Sequence, residues 1–396
     1  MTGVSVWAAF RPGRRSDRAS HHPRAPCSRI ENSRMTWKGV GRSFMRSEYT
    51  RSFIRVCGLT ASIMSKWKAE PETGVFRYML RIVLSLFCLA LPVHLFAAWA
   101  LDGVGTFRFE PVADGVWVMH GPVEEPNARN HGFMNNPAII ETKAGLVMID
   151  PGSTLEVGRK VIEELQRVSD APVVAVINTH IHGDHWLANQ AVAERWPGVV
   201  IYAHPAMLAQ AESDRSHAWL ELLERATEGH SRGTRIVPPT RPLADGDELT
   251  IGSHHFRILA STPSHTDTDI MIHHVESGTV FLGDNAFRGR LGQFDASARI
   301  QGNIEALKRA LDLKARVYVP GHGRSGSADE VASPYLDYLQ RLMTAVREGF
   351  ENDLEDYEIK ARLLPEMSAW ASWHGFDKFF GKHVNRAFLE VEAEEM

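Results

Sequence analysis

The sequence predicts an α/β domain in which two β-sheets pack together with helices outside, and three observations carry that expectation. Strand-like and helix-like segments alternate along residues 116–319, the pattern of a layered α/β domain. A short, wholly apolar, β-branched run at residues 173–177 reads as a buried strand. No internal repeat or linker-like break divides the chain after residue 100, so one domain accounts for it.

The elements follow in order. Alternation over residues 116–119 predicts a strand, and residues 137–141 and 146–149 predict two more around the turn Lys143-Ala144-Gly145. Residues 156–168 place Val157, Val161, Ile162, Leu165 and Val168 at helical spacing. After the strand at 173–177 a helix is expected from Leu187, then a strand at 199–202 and one long helical stretch at 205–228. Strands are expected again at 248–251, 256–259, 270–274 and 279–282, followed by a helix at 303–313 and a strand at 317–319. From Pro334 onward the chain reads as helical.

Composition narrows the function. A chain of 396 residues with 44% hydrophobic and 23% charged side chains is neither disordered, collagen-like nor a polytopic membrane protein. Charge is unevenly spread. Residues 1–100 carry 16 Lys+Arg against 5 Asp+Glu, a net of +11, while the remaining 296 residues carry 28 against 43, a net of −15. So acidic a domain lacks the basic face that neutralises phosphates, which argues against a nucleic-acid partner and for a small-molecule substrate.

Residues 1–78 are rich in Arg, Ser and Pro without a sustained period, and read as an untranslated leader or a disordered extension. Residues 79–100 combine Arg81, the apolar run 82–91 and Ala98-Trp99-Ala100, the three parts of a secretory signal peptide. Start at Met79, cleavage after Ala100 and a periplasmic or secreted product are expected, with no stable membrane insertion afterwards. The alternative is an uncleaved anchor, which Pro92 and His94 weaken. The main domain is then residues 101–330, and a C-terminal helical segment, 331–396, is expected to pack on it. Cys27, Cys57 and Cys88 all precede residue 101, so the remaining chain has no thiolate and must hold any metal by His and carboxylate. Oligomeric state leaves no sequence signal.

The segment Asn178-Thr179-His180-Ile181-His182-Gly183-Asp184-His185 directly follows the apolar run at 173–177. In an extended chain His180, His182 and Asp184 would alternate on one side, with His185 opening the next helix. Each lone His is more often structural than a ligand. Four metal-competent side chains this close at a strand end point instead to a metal site.

This H-x-H-x-D-H segment resembles the hallmark of the metallo-β-lactamase fold superfamily. Ser264-His265-Thr266, Leu282-Gly283-Asp284 and Pro320-Gly321-His322 are similar to its later ligand motifs, and Asp150 to an early structural Asp. The resemblance covers about residues 105–330 and implies an αββα sandwich. It further implies two Zn²⁺ ions, one on His180, His182 and His265, the other on Asp184, His185 and His322, with Asp284 between them. Iron or manganese is the alternative metal. A metal-bridging hydroxide would then attack an ester, thioester, lactone or amide carbonyl, with Asp184 and Asp284 as the catalytic carboxylates.

Several readings stay open within that family. A periplasmic β-lactamase fits export, but those enzymes generally lack the bridging Asp. A glyoxalase II-type thioesterase fits the ligand set, but its substrate is cytosolic. An iron-dependent persulfide dioxygenase-like enzyme would use fewer ligands. An exported zinc hydrolase of the quinoprotein relay group shares weak markers near His120 and Asn385. A metal-binding module without turnover is the non-enzymatic reading. Among other residues, Arg288 and Arg290 are candidates for an anionic substrate tail, Trp186 for a pocket wall, and the loop at His131, Asn135 and Asn136 for a cover. The His254-His255 and His273-His274 pairs place neighbours on opposite strand faces and read as structural.

Overall fold

A computed structural model describes residues 106–261 and 263–396. The leader, the signal-peptide segment and the three cysteines lie outside the described residues. Among the described residues, twelve strands make two sheets. The first contains, in spatial and sequence order, β1 (Phe109–Ala113), β2 (Val116–Met119), β3 (Ala138–Thr142), β4 (Gly145–Ile149), β5 (Val173–Ile177), β6 (Val200–Ala203) and β7 (Arg241–Pro242). Strands β1 to β4 are antiparallel neighbours, and β4 to β7 are parallel. The second sheet comprises β8 (Glu248–Ile251), β9 (His254–Leu259), β10 (Met271–His274), β11 (Thr279–Phe287) and β12 (Val317–His322), in the order β12-β11-β10-β9-β8. Only β11 and β12 run parallel in it.

Helices α1 (Leu155–Leu165), α2 (Gly183–Trp186), α3 (Asn189–Arg195), α4 (Pro205–Gln210) and α5 (Asp214–Ala226) accompany the first sheet in sequence. Helices α6 (Ile300–Asp312), α7 (Ala332–Glu351), α8 (Asp356–Leu363) and α9 (Phe376–Glu395) accompany the second.

Strand β4 shows how the layers are specified. Its side chains alternate, so Val147 and Ile149 join the core between the sheets while Leu146 and Met148 pack under α1 and α3. The inter-sheet core pairs residues such as Ile140 and Ile177 with Phe256, Ile272 and Phe281. On the far face, Leu282 packs with Leu307, Tyr335, Leu339 and Phe380 of the later helices. Burying each such aliphatic or Phe side chain contributes about 1.5–3 kcal/mol against the entropy of ordering the chain. No helix among the described residues is long and apolar enough to cross a membrane.

The differences from the sequence reading have local causes. The stretch expected as one helix at 205–228 is broken, because Ser213 is extended (φ −77°, ψ 170°) at the N-cap of α5. Strand β1 was not foreseen, since Pro111 interrupts any alternation and is tolerated only at a sheet edge. Asp184 does not alternate with His180 and His182. The chain turns at His182, the N-cap of α2, and Asp184 and His185 both lie in that helical turn. Strand β11 runs on to Phe287 through an irregular register at Gly283, which the apolar count could not show.

The C-terminal helix is tied back into the domain by Glu390. Its buried carboxylate accepts hydrogen bonds from the backbone N–H of Ile300 (2.7 Å) and Gln301 (3.1 Å), capping α6. Glu390→Ala is expected to cost about 1–3 kcal/mol by stranding these donors. The shift of the urea unfolding midpoint measures it, and Glu390→Gln, which keeps one acceptor, should recover part of the loss.

Candidate metal centre

Four segments converge: the turn after β5, the segment before β10, and strands β11 and β12. The turn after β5 supplies His180, His182, Asp184 and His185; the segment before β10 supplies His265; β11 and β12 supply Asp284 and His322. All seven side chains are buried. Donor atoms of His180, His182, His265 and Asp284 form one group and those of Asp184, His185 and His322 a second, each spanning no more than 4.8 Å.

Asp284 joins the two groups. Its Oδ2 lies 3.5 Å from His265 Nε2 and 3.8 Å from His180 Nε2. Its Oδ1 lies 3.2 Å from His185 Nε2 and 3.4 Å from His322 Nε2. Two glycines make room for this carboxylate. A Cβ at Gly321 would sit 2.0 Å from Asp284 Oδ1, and Gly283 takes φ +53° against Thr179, a conformation that favours glycine.

The outer hydrogen bonds orient the imidazoles. His322 Nδ1 donates to the Met134 carbonyl at 2.7 Å, and His185 Nδ1 donates to Asp150 Oδ2 at 2.8 Å. Thr179 Oγ1 gives its hydrogen to Asp150 Oδ2 at 2.6 Å, so it accepts from His180 Nδ1 at 3.0 Å. With the protons of His180, His185 and His322 on their outer nitrogens, the inner nitrogens of these three rings carry lone pairs. His185 Nε2 and His322 Nε2 then face each other at 3.3 Å, and His182 Nδ1 faces His265 Nε2 at 3.1 Å. His180 Nε2 and Asp284 Oδ1 are buried without a hydrogen-bond partner.

Such a constellation repels itself unless a cation lies within it. Ligands bound tetrahedrally at ~2.0–2.1 Å stand ~3.3 Å apart, which these separations match, so the residues fit a divalent metal in each group. The electrostatics agree. Burial opposes charge on Asp184 and Asp284, yet the surrounding imidazoles hold Asp184 down to about 2 and Asp284 well below the carboxylate range. Burial first, and neighbouring imidazoles next, keep His180 well below its usual range; burial brings His265 down to about 3. Against burial, Asp284, Asp184 and Asp150 raise His185 well above the usual value, so the pocket draws positive charge.

A cavity of about 280 Å³ opens over both groups. Trp219 and Leu222 of α5, with Met134 and Phe379, make its apolar side, and Arg290 and Asp295 its polar side. Of the two arginine candidates, Arg290 lines the cavity and is 4% exposed, while Arg288 pairs with Glu330 at 3.1 Å. Trp186 is core, its Nε1 donating to the Ile181 carbonyl at 2.8 Å. Asn135 and Asn136 brace the centre from below, donating to the carbonyls of Asp150 (2.8 Å) and Pro320 (2.9 Å). His131 turns away to Glu156 at 2.8 Å.

Sequence reasoning missed Asp295 and Trp219. Asp295 accepts from His182 Nε2 at 3.4 Å and is paired with Arg215 of α5, a contact no local motif announces. Trp219 and Leu222, three residues apart on α5, share one helix face and were readable as such.

This fold and this centre define a metallo-hydrolase, and comparison with known proteins gives the family. The metallo-beta-lactamase superfamily domain matches residues 132–322. A hydroxyacylglutathione hydrolase from Gloeobacter violaceus is 31% identical over 273 residues, covering 67% of this chain and 91% of the relative. A human acyl-coenzyme A thioesterase is 24% identical over 252 residues, covering 59% and 88%. The solved sec-alkylsulfatase from Pseudomonas sp. shares the fold at TM-score 0.55 and 16% identity, over 71% of this chain and 50% of that one. The chain belongs to the metallo-beta-lactamase superfamily and is one of its hydrolases.

Asp150 orients both His185 and, through Thr179, His180. Asp150→Asn is therefore expected to weaken metal binding by about 10–100-fold, with the far-UV circular dichroism unchanged. Competition against a chromophoric chelator measures it.

Proposed function

We propose that the protein is an exported dinuclear zinc hydrolase that cleaves a carboxylic thioester. The observation that carries this reading is the division of labour in Asp284, whose two oxygens face two separate ligand groups. His180, His182 and His265 would hold one Zn²⁺, and Asp184, His185 and His322 the other, with Asp284 shared. Zinc there would make hydroxide available near neutral pH and polarise the scissile carbonyl.

The protein's own groups supply the rest. Asp184, at the cavity wall and held ionised, accepts a hydrogen bond from the attacking water and orients it. Arg290, buried beside His322, attracts an anionic part of the substrate and the carboxylate that hydrolysis produces. Trp219, Leu222, Met134 and Phe379 pack on apolar parts of the substrate and exclude water from the reacting bond. A thioester is favoured over other carbonyl substrates because the relatives described above are named as a hydroxyacylglutathione hydrolase, which cleaves an acyl–sulfur bond, and an acyl-coenzyme A thioesterase; with export, the substrate is a thioester other than the cytosolic glutathione one. Export is supported by Arg81, the apolar run 82–91 and Ala98-Trp99-Ala100.

The test uses full-length protein expressed in a Gram-negative host. The periplasmic product should begin at Leu101 by mass, bind two zinc equivalents and hydrolyse acyl thioesters faster than β-lactams, lactones or phosphodiesters. Asp284→Asn should retain one equivalent and lose about 100-fold or more of kcat/KM. Full turnover with one equivalent in the native protein would contradict the dinuclear reading. Turnover of β-lactams above thioesters would contradict the substrate class.

A further inference from the structure

The second sheet carries a group of imidazoles that hydrolysis does not use. His254 opens β9, His274 closes β10, and Glu276 lies in the turn leading to β11. Strands β9 and β10 are antiparallel with His274 opposite Phe256, so His254 and His274 are diagonal neighbours on one face. The adjacent-residue pairs of the sequence cannot converge, but residues drawn from two strands do. His254 Nδ1 lies 2.8 Å from His274 Nε2, and His274 Nε2 lies 3.3 Å from Glu276 Oε2. All three donor atoms fall within 4.8 Å of one another.

His274 is held as a ligand is held. It is 1% exposed, and its ring stacks on Phe256 with centroids 5.0 Å apart. Ser277 Oγ donates to Thr279 Oγ1 at 2.8 Å and therefore accepts from His274 Nδ1 at 2.7 Å. That leaves the lone pair on Nε2, which accepts from His254 Nδ1 in one tautomer of His254 and lies beside Glu276 Oε2, a carboxylate oxygen that takes the His255 backbone N–H (3.0 Å) and keeps a further lone pair. Burial, then the field of His254, holds the His274 pKa down to about 4, so this ring is neutral at neutral pH. From outside, His255 Nδ1 fixes the other Glu276 oxygen at 2.6 Å, as a supporting group fixes a ligating carboxylate.

We propose that His254, His274 and Glu276 form a peripheral binding site for a borderline divalent transition-metal ion of the zinc type. Two imidazole nitrogens and one carboxylate oxygen suit such an ion, and the solvent side leaves room for water to complete the shell. The site lies at the opposite end of the sheet from Asp284. His274 pairs with Thr279 at the start of β11, and Asp284 comes five residues later, about 17 Å along the strand. Its occupancy is thus separable from that of the hydrolytic centre.

Calorimetric titration of Zn²⁺ alone into the full chain, with the hydrolytic centre already saturated, should show one additional equivalent. Losing a supporting partner of a metal site costs about ten-fold in affinity, and losing a ligand costs more. His254→Ala, His274→Asn and Glu276→Gln should therefore each weaken this equivalent by at least that factor, while thioester hydrolysis stays at the native rate. His131→Ala, in the separate His131, Glu156 and His230 cluster, should leave it intact. His254 and Glu276 are not buried, so their variants test the site even if His274→Asn fails to fold. No additional equivalent in the native protein, or one that survives unchanged in His254→Ala and Glu276→Gln, overturns the proposal.

Discussion

Buried lone pairs that face one another are the constraint around which the molecule is built. Two imidazole nitrogens 3.3 Å apart, a second pair 3.1 Å apart and a carboxylate between them cannot rest together in a low-dielectric pocket without positive charge. The outer nitrogens of His180, His185 and His322 are already committed to a hydroxyl, a carboxylate and a carbonyl, so rotating any of these rings would strand another buried group. The arrangement therefore favours a cation, and burial sharpens its demand for charge.

Holding it requires every layer of the fold. Asp150, at the end of β4 with φ +48°, receives Thr179 and His185 and so locks the turn after β5. Close approach of β11 to β12, possible because residue 321 is glycine, sets Asp284 against His322. Helix α9 contributes Phe379 to the cavity and, through Glu390, fixes the start of α6. Binding, catalysis and stability thus share side chains: the bonds that orient ligands also close the sandwich.

Much of this was legible in the sequence, unevenly. Strand β5 and the residues that follow it were readable because a β-branched run and a dense His/Asp cluster are both local signals. All seven candidate ligands are brought together, although their division into two groups depends on the turn at His182, which periodicity does not encode. The break at Ser213 and the edge strand β1 escaped because each rests on one residue's backbone conformation. Asp295 and the pairing of His254 with His274 escaped for another reason: they are contacts between separate segments, made by the fold and invisible to spacing. Trp186 and Trp219 show the same limit. Both are indoles, one beside the motif and one on α5, and only packing sends one to the core and the other to the cavity.

Anomalous diffraction from crystals of the zinc-loaded protein, recorded on both sides of the zinc absorption edge, probes the paired cation site most directly. Two peaks are expected, one among His180, His182 and His265 and one among Asp184, His185 and His322, with the Asp284 carboxylate between them. A single peak, or none within these residues, would contradict it.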